Sequence, residues 1–173
     1  MGKPPREPYP PDPDEDAEPV EEFGDLADAA VADADWANVR GLRWSAQRVE
    51  LVRVRLTGAE LGESFVQDVV FSECRVDLAG LRHSKLQRVV FRDCRMGECD
   101  FSGSRLEDVL FERCELVQAS FAAVTIERVD LAGCDLAGLV GAQALRGARM
   151  PWSDALQSGP VFASALGIEL TDG

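Results

Sequence analysis

Large apolar residues recur at every fifth position through the middle of this chain. Eighteen consecutive positions of the series, from Leu51 to Leu136, hold Leu, Val, Phe, Met or Ile. A second series lies two residues before each of these, from Val49 to Cys134, and holds only Val, Ala, Ser and Cys. The other positions of each five are mostly polar or Gly. Every five-residue unit therefore has one large and one small candidate core position.

Neither an α-helix nor a single strand can keep a five-residue stripe on one face. Five residues advance a helix by about 500°, and strand side chains alternate with a period of two. A second period of twenty residues aligns like residues with each other: Val69, Val89, Val109 and Val129 in one row, and Cys74, Cys94, Cys114 and Cys134 in another. Because twenty is four fives, the pattern predicts a coil with four sides, each pointing one large and one small side chain inward.

These repeats resemble the pentapeptide-repeat family, in which a small residue, any residue, Leu or Phe, and two further residues recur in tandem. The resemblance covers about half of the chain. It implies an all-β solenoid, a right-handed quadrilateral β-helix. More loosely, the chain resembles the DNA-mimicking, gyrase-interacting members of the family in its length, acidity and C-terminal segment. In that branch a C-terminal helical segment also mediates dimerisation.

Three segments follow from where the repeat begins and ends. Residues 1–33 form an acidic, Pro-rich N-terminal arm, 34–150 the pentapeptide-repeat β-helix, and 151–173 a C-terminal helical cap. We expect the arm to be largely disordered, because it lacks apolar side chains to offset the entropy of ordering. A short acidic helix is predicted over 21–35. Residues 34–48 are interpreted as a degenerate first coil, since small residues occupy two of its core centres.

The C-terminal cap should close the open end of the solenoid, whose backbone edge would otherwise be unpaired. Ser153 is predicted to be the N-cap of a first short helix. Pro160 fits the first turn of a second helix, and Gly167 fits its end. Four apolar residues of this segment are expected to cover the last coil: Val161, Phe162, Leu166 and Ile168.

Charge narrows the classes of partner. The formal net charge is −13, which argues against direct binding of nucleic acid, because phosphate contacts need clustered Lys and Arg. Residues 1–40 carry a net charge of −9, so most of the acidity lies in the arm. The first twenty residues contain no apolar signal segment and no run is long enough to span a membrane, so we expect a cytoplasmic protein without a membrane partner.

The residues that most often carry chemistry have structural explanations here. All five cysteines occupy the small core position, which favours reduced packing residues over metal or redox roles. His83, the single histidine, lies at an outward position. No Cys/His or Ser/His/Asp constellation and no phosphate-binding Gly loop emerges. The sequence therefore predicts no enzyme, no cofactor and no metal site.

One row of outward positions is unexpectedly apolar. Val70, Val90 and Leu110 stand one coil apart, bounded by Glu50 and Asp130. Exposed apolar patches often mark interaction sites, so this row is a candidate protein-docking surface. Two other interpretations remain open: the row could be a seat for the N-terminal arm, or ordinary packing within the ladder.

Three functions are compatible with these features. The first is a non-enzymatic protein-interaction scaffold with an unidentified protein partner, which could also form a homodimer through the C-terminal cap. The second is a DNA mimic that binds and modulates or protects DNA gyrase or another type II topoisomerase. The third is a structural or regulatory module acting through the acidic arm. Residues 49–138 hold sixteen acids and eleven bases, a weaker charge than a duplex surrogate should carry.

Overall fold

Six parallel strands form a single sheet in chain order. The computed structural model describes residues 3–12, 20 and 22–171. The strands are β1 (Leu26–Ala32), β2 (Ser45–Val52), β3 (Phe65–Ser72), β4 (Lys85–Arg92), β5 (Arg105–Glu112) and β6 (Thr125–Ala132). They are followed by a 3₁₀ turn (Ala142–Leu145) and two short helices, α1 (Trp152–Gln157) and α2 (Gly159–Ala165). No helix in the described part of the chain is both long and apolar enough to cross a membrane.

Each residue pairs with the residue twenty positions further on. Val69 is opposite Val89, and Val89 is opposite Val109. Shorter bridges with the same spacing link the remaining sides, as between Arg55 and Arg75. The chain is thus a right-handed, four-sided β-solenoid of about five turns, as the twenty-residue period predicts.

The two predicted core series fill the interior. Every member of the large and small series is buried except Ile126 and Cys134, which are half-buried in the last coil. The rings of Phe71, Phe91 and Phe111 stack in one column, with centroids 4.7 and 5.2 Å apart. Stacked rings at this spacing match the step between coils, so one aromatic residue per coil fits without distorting the backbone.

A left-handed residue lies at every fifth position, two residues after each large core residue. The series runs without a gap from Asp28 to Gly138, and nineteen of its members are not glycine. Such a conformation is unfavourable for most L-residues. Here it recurs because the chain must change direction every five residues while its amides remain bonded to the neighbouring coils.

The first coil begins earlier than the sequence indicated, and the helix predicted over 21–35 is wrong. Strand β1 occupies this region and pairs with β2, placing Leu26 opposite Ala46 and Val31 opposite Leu51. Leu26 and Val31 are buried and continue the five-residue series. The repeats therefore start before residue 34.

An aromatic cluster closes the N-terminal end of the core. The ring of Phe23 lies 5.6 Å from the rings of both Trp36 and Trp44, and the indole N–H of Trp44 donates to the carbonyl oxygen of Gly24 at 2.7 Å. A Cβ on Gly41 would approach the Phe23 ring to 2.5 Å. Gly41, which was interpreted as a core position of a degenerate coil, thus makes room for the ring of Phe23.

Two short helices close the C-terminal end of the solenoid. One helix-capping residue was assigned wrongly from the sequence. Pro160 lies in the first turn of α2. Gly167 ends this helix in a left-handed conformation, where its amide donates to Ser164 and the next amide donates to Ala163. The assignment of Ser153 as an N-cap is wrong, because it lies inside α1 and its hydroxyl donates to the Asp154 carboxylate.

The apolar residues of the cap divide into two groups. Val161 and Phe162 pack against the core, as expected. Leu166 and Ile168 do not cover the last coil; both side chains are mostly exposed. The reason is that α2 ends at Ala165, and the turn at Gly167 directs the following chain away from the solenoid.

We expect the turn at Gly141, where the repeats end, to be the least tolerant glycine. Gly141→Ala should lower the free energy of unfolding by more than about 2 kcal/mol, since a left-handed alanine is strained and its Cβ would lie 2.7–2.9 Å from the backbone of Phe121 and Ala122. Gly147→Ala should cost only the conformational strain, about 1 kcal/mol, because no atom lies within 4 Å. Gly159→Ala, with neither problem, is the neutral control. Denaturant melts measure all three; equal losses at positions 141 and 147 would contradict the close contact.

Candidate protein-docking face

The outer face of the sheet carries a column of alternating charge. The left-handed residues in the middle of the six strands are Asp28, Arg48, Asp68, Arg88, Asp108 and Arg128. They form ion pairs between neighbouring coils: Arg88 Nε lies 2.5 Å from Asp68 Oδ1, and Arg128 Nε lies 2.5 Å from Asp108 Oδ1. Arg48 pairs with Asp28 in the same way. We call this set the charged column.

The predicted apolar row lies two residues further along the same strands. Val70 is opposite Val90, and Val90 is opposite Leu110. Although these positions point outward, Val90 is only 8% exposed, and Val70 and Leu110 are half-buried. The row is therefore brought together as the spacing predicts, but its centre is not open to solvent.

Residues 3–12 lie along the charged column. The amide of Arg6 donates to Asp108 at 3.0 Å, and the amide of Tyr9 donates to Asp68 at 3.1 Å. The amide of Asp12 lies 3.4 Å from Asp28. This part of the arm therefore crosses the coils from the fifth strand back to the first, and the expectation of a disordered arm does not hold for it. Residues 1–2, 13–19 and 21, which the same expectation includes, lie outside the described residues.

Two side chains strengthen this contact. The Arg6 guanidinium donates through Nε to Asp108 at 2.8 Å, and its Nη2 lies 3.4 Å from Glu107. The Tyr9 ring lies under the guanidinium of Arg88, with 5.4 Å between the guanidinium carbon and the ring centroid. Charged hydrogen bonds and cation–π contacts are stronger than neutral surface contacts. The segment is thus held at two successive acids of the column.

The electrostatics of Asp108 depend on the arm. Burial raises its pKa, but hydrogen bonds from Arg128 and from the amide and guanidinium of Arg6 outweigh this effect and hold the pKa at about 2. The pKa of Asp68 is also lowered: burial opposes the shift, and the Arg88 side chain and the Tyr9 amide produce it. Both carboxylates therefore stay ionised acceptors in the folded chain.

The cysteines pack as their position predicts. Cys74, Cys94, Cys99 and Cys114 are buried, and none of the five forms a disulfide. Each thiol donates to a carbonyl oxygen of the preceding coil, as Cys99 does to Val76 at 3.1 Å. Burial raises the pKa of Cys99 to about 12. Half-buried Cys134 borders a cleft of about 690 Å³ between the last coil and the two helices.

Other candidate chemistry does not assemble. His83 is exposed at a left-handed corner. Within residues 3–12, 20 and 22–171, no three His, Cys, Asp or Glu side chains are grouped as a metal would require. The apolar row predicted from the sequence and the unexpected contacts of the arm with the charged column therefore lie on the same strands, which we call the docking face. The arm contact was not predicted from the sequence. Its one sequence feature is the three-residue spacing of Arg6, Tyr9 and Asp12, which can be interpreted only when the positions of the acids on the coils are known.

We expect one thiol to react in the native protein and five after unfolding. Labelling requires access and the thiolate, and burial disfavours both. Half-buried Cys134 should therefore react first, although slowly, because the contact with Cys114 and burial raise its pKa. The variant Cys134→Ser should show almost no native labelling. Fast labelling of Cys94 or Cys99 in the folded chain would contradict the packing described above.

We also expect acid to release residues 3–12 before the solenoid unfolds. The folded pKa of Asp108 lies below its ordinary value of 3.8, so its contribution is present above about pH 4 and lost as pH falls towards 2. Tyr9 is the single tyrosine, so 3-fluorotyrosine gives one ¹⁹F resonance that reports docking. In a Trp152→Phe background, the fluorescence of buried Trp36 and Trp44 reports the core. Asp108→Asn should move the resonance towards its acid position at neutral pH. A resonance that follows only the fluorescence change would show that the arm does not dissociate separately.

The comparison with protein families agrees with this architecture. Residues 44–121 match the family described as pentapeptide repeat region. No curated protein matches the sequence. Three solved structures of low sequence identity resemble this chain, and two of them are described as pentapeptide repeat proteins. HetL, a pentapeptide repeat protein involved in heterocyst differentiation regulation from the cyanobacterium Nostoc sp. strain PCC 7120, is 19% identical, with a TM-score of 0.45.

The alignment with HetL covers 74% of this chain and 66% of HetL, so the chain spans slightly less than two thirds of that protein. QnrB1, a plasmid-mediated fluoroquinolone resistance protein, is 16% identical, with 82% of this chain and 88% of QnrB1 covered and a TM-score of 0.33. A pentapeptide repeat protein from the Arabidopsis thaliana thylakoid lumen is 13% identical, with 77% and 76% covered and a TM-score of 0.32. On the match over residues 44–121, and on the five-residue register that runs through all six strands, this part of the chain is a pentapeptide-repeat region.

Proposed function

We propose that this chain is a non-enzymatic protein-interaction scaffold. The observation that carries the proposal is a group of large apolar side chains left exposed at the C-terminal cap: Trp152, Leu156, Leu166, Ile168 and Leu170. The large apolar residues of the described solenoid are buried apart from scattered ones such as Leu42, Leu78 and Val140, whereas the cap exposes five in one short segment. Exposed apolar patches of this kind mark protein interfaces.

The cap is built to present these side chains rather than to bury them. Trp152 and Leu156 stand four residues apart, on the same side of α1. The turn at Gly167 then carries Ile168 and Leu170 beyond the end of α2. Val161 and Phe162 of α2, by contrast, pack against the core.

A second copy of this chain is the partner that we propose for the cap. An apolar surface at the end of a rod can meet its own equivalent across a two-fold axis, which buries the same residues on both subunits. The solenoid would then extend on either side of the shared end. Two rigid ends can associate without rearrangement of either one, so little conformational entropy is lost on binding.

The row of Val70, Val90 and Leu110 is the second docking surface in this proposal. Its apolar side chains occupy the same outward position in successive coils, on a sheet that cannot rearrange. Residues 3–12 already lie against the neighbouring acids, which supports a role in holding an extended peptide. The surface differs from the cap in both shape and charge, so the scaffold has two separate sites.

The charge distribution supports this function over a DNA mimic that engages a type II topoisomerase. Residues 49–138 stack over about 22 Å, a length of duplex that carries about 13 phosphate charges. The same residues have a net charge of −5. Arginines also pair with the exposed acids, as Arg113 does with Asp93 at 2.7 Å. A gyrase supercoiling assay separates the two functions, because a mimic would inhibit or protect the enzyme and this scaffold would do neither.

We expect the wild-type chain to form a dimer that the cap controls. Leu166→Glu should weaken self-association by at least about tenfold, because it places a charge in the apolar centre of the interface. Leu78→Glu is the matched control: Leu78 is 56% exposed and Leu166 73%, but Leu78 lies on the side of the solenoid. Sedimentation velocity over a range of concentrations measures both. A wild-type chain that stays monomeric, or equal effects of the two variants, would contradict the proposal.

A further inference from the structure

The spacing of the acids on the charged column matches that of a polyproline II helix. Successive aspartates, Asp28, Asp68 and Asp108, are two coils apart, about 9.6 Å at 4.8 Å per step. The amides that reach them belong to Asp12, Tyr9 and Arg6, which are three residues apart. Three residues of polyproline II span about 9.3 Å. The acids therefore present one acceptor for each turn of such a helix.

The composition of the arm fits the same geometry. Residues 4–12 read PPREPYPPD, and Arg6, Tyr9 and Asp12 supply three of the four backbone N–H groups in this stretch. Proline has no N–H and favours the extended conformation in advance of binding. The backbone donors of the segment are thus concentrated where the carboxylate acceptors of the column lie. Glu7 carries the one further backbone N–H of this stretch.

Burial of the arm repeats with the same period. Pro5, Pro8 and Pro11 are half-buried, whereas the residues between them are exposed. A β-strand would bury every second residue, and a polyproline II helix brings every third residue to one side. Because Arg6 and Tyr9 reach acids on either side of the fourth coil, Pro8 lies at the level of Val90. Val90, on that coil, is 8% exposed although it points outward.

We propose that the charged column and the apolar row form a recognition site for proline-rich segments, and that residues 3–12 are its intramolecular ligand. The partner is an extended segment of another protein, with a backbone N–H at every third residue, prolines between these, and a basic side chain opposite Asp108. Such a segment competes with the arm for the same acids. The site uses backbone donors and apolar contacts together, so charge alone does not define its ligand.

This inference deepens the docking role proposed for the row, and it is independent of self-association at the cap. Tethering gives the arm a high effective concentration, in about the millimolar range. A free peptide must therefore bind much more weakly to the intact chain than to a chain whose arm cannot dock. That difference is the property to measure.

The experiment uses the full chain with the arm altered in place. The double variant Arg6→Pro, Tyr9→Pro removes two of the three donors and keeps the segment proline-rich. A fluorescent peptide of residues 3–12 is titrated against this variant and against the wild type, with anisotropy as the readout. We expect the peptide to bind the variant at least about tenfold more tightly, because the arm no longer competes.

Three controls make the result specific. The same peptide with the two prolines in place of Arg6 and Tyr9 should not bind. Within the double variant, Asp68→Asn with Asp108→Asn should abolish binding, and Val90→Glu should weaken it. Asp93→Asn should not change it, since Asp93 is a left-handed, Arg-paired acid on another side of the solenoid. Thermal melts verify that each variant is folded.

Two results would overturn the proposal. The first is equal affinity of the peptide for the wild type and for the double variant, which would mean that the arm does not occupy the site. The second is that the peptide lacking the two donors binds as tightly as the unaltered peptide, which would mean that binding does not depend on a backbone N–H at every third residue. Either result would leave the sedimentation behaviour of the cap variants unchanged, so the two proposals fail separately.

Discussion

The hydrogen bonds between successive coils are the constraint on which the rest of this structure depends. The amide of Leu56 donates to Arg75 and that of Val76 donates to Arg95, both at 2.7 Å, and the same relation recurs on every side. Each residue is thereby fixed beside its equivalent twenty positions away. Inside, this stacks phenylalanines face to face; at the corners, it maintains left-handed residues; outside, it places acids and arginines in alternating order.

The interior could be predicted from the sequence because it follows one simple repeat, in which every five residues contribute one large and one small buried side chain. The N-terminal end could not, since the space at one of its core positions, Gly41, is filled from elsewhere. Trp44 occupies a small position and Phe23 comes from outside the coil. A period search counts residue sizes at fixed positions, and a neighbouring side chain that supplies the missing volume is invisible to it. The exposed half of the cap has no periodicity at all.

The docking face could be predicted only in part. The apolar row was visible as a repeat, and a seat for the arm was among its interpretations. The contact itself was not predicted, because a proline-rich acidic segment has the composition of a disordered chain. What orders it is a match between two lengths: three residues of extended backbone and two steps of the solenoid. Neither length can be read from composition, and the second is fixed only when the coils are stacked.

The strength of the arm contact changes along its length, and this gradient suggests how a competing segment would enter. The side chains of Asp108 and Asp68 are 0% and 3% exposed, whereas that of Asp28 is 29% exposed. Arg6 contacts Asp108 with both amide and guanidinium, but Asp12 contributes one amide at 3.4 Å. The contact that opens most easily is therefore at Asp28. A competing segment can bind there first and then replace the arm one acid at a time, so the basic side chain that meets Asp108 determines whether the exchange is completed.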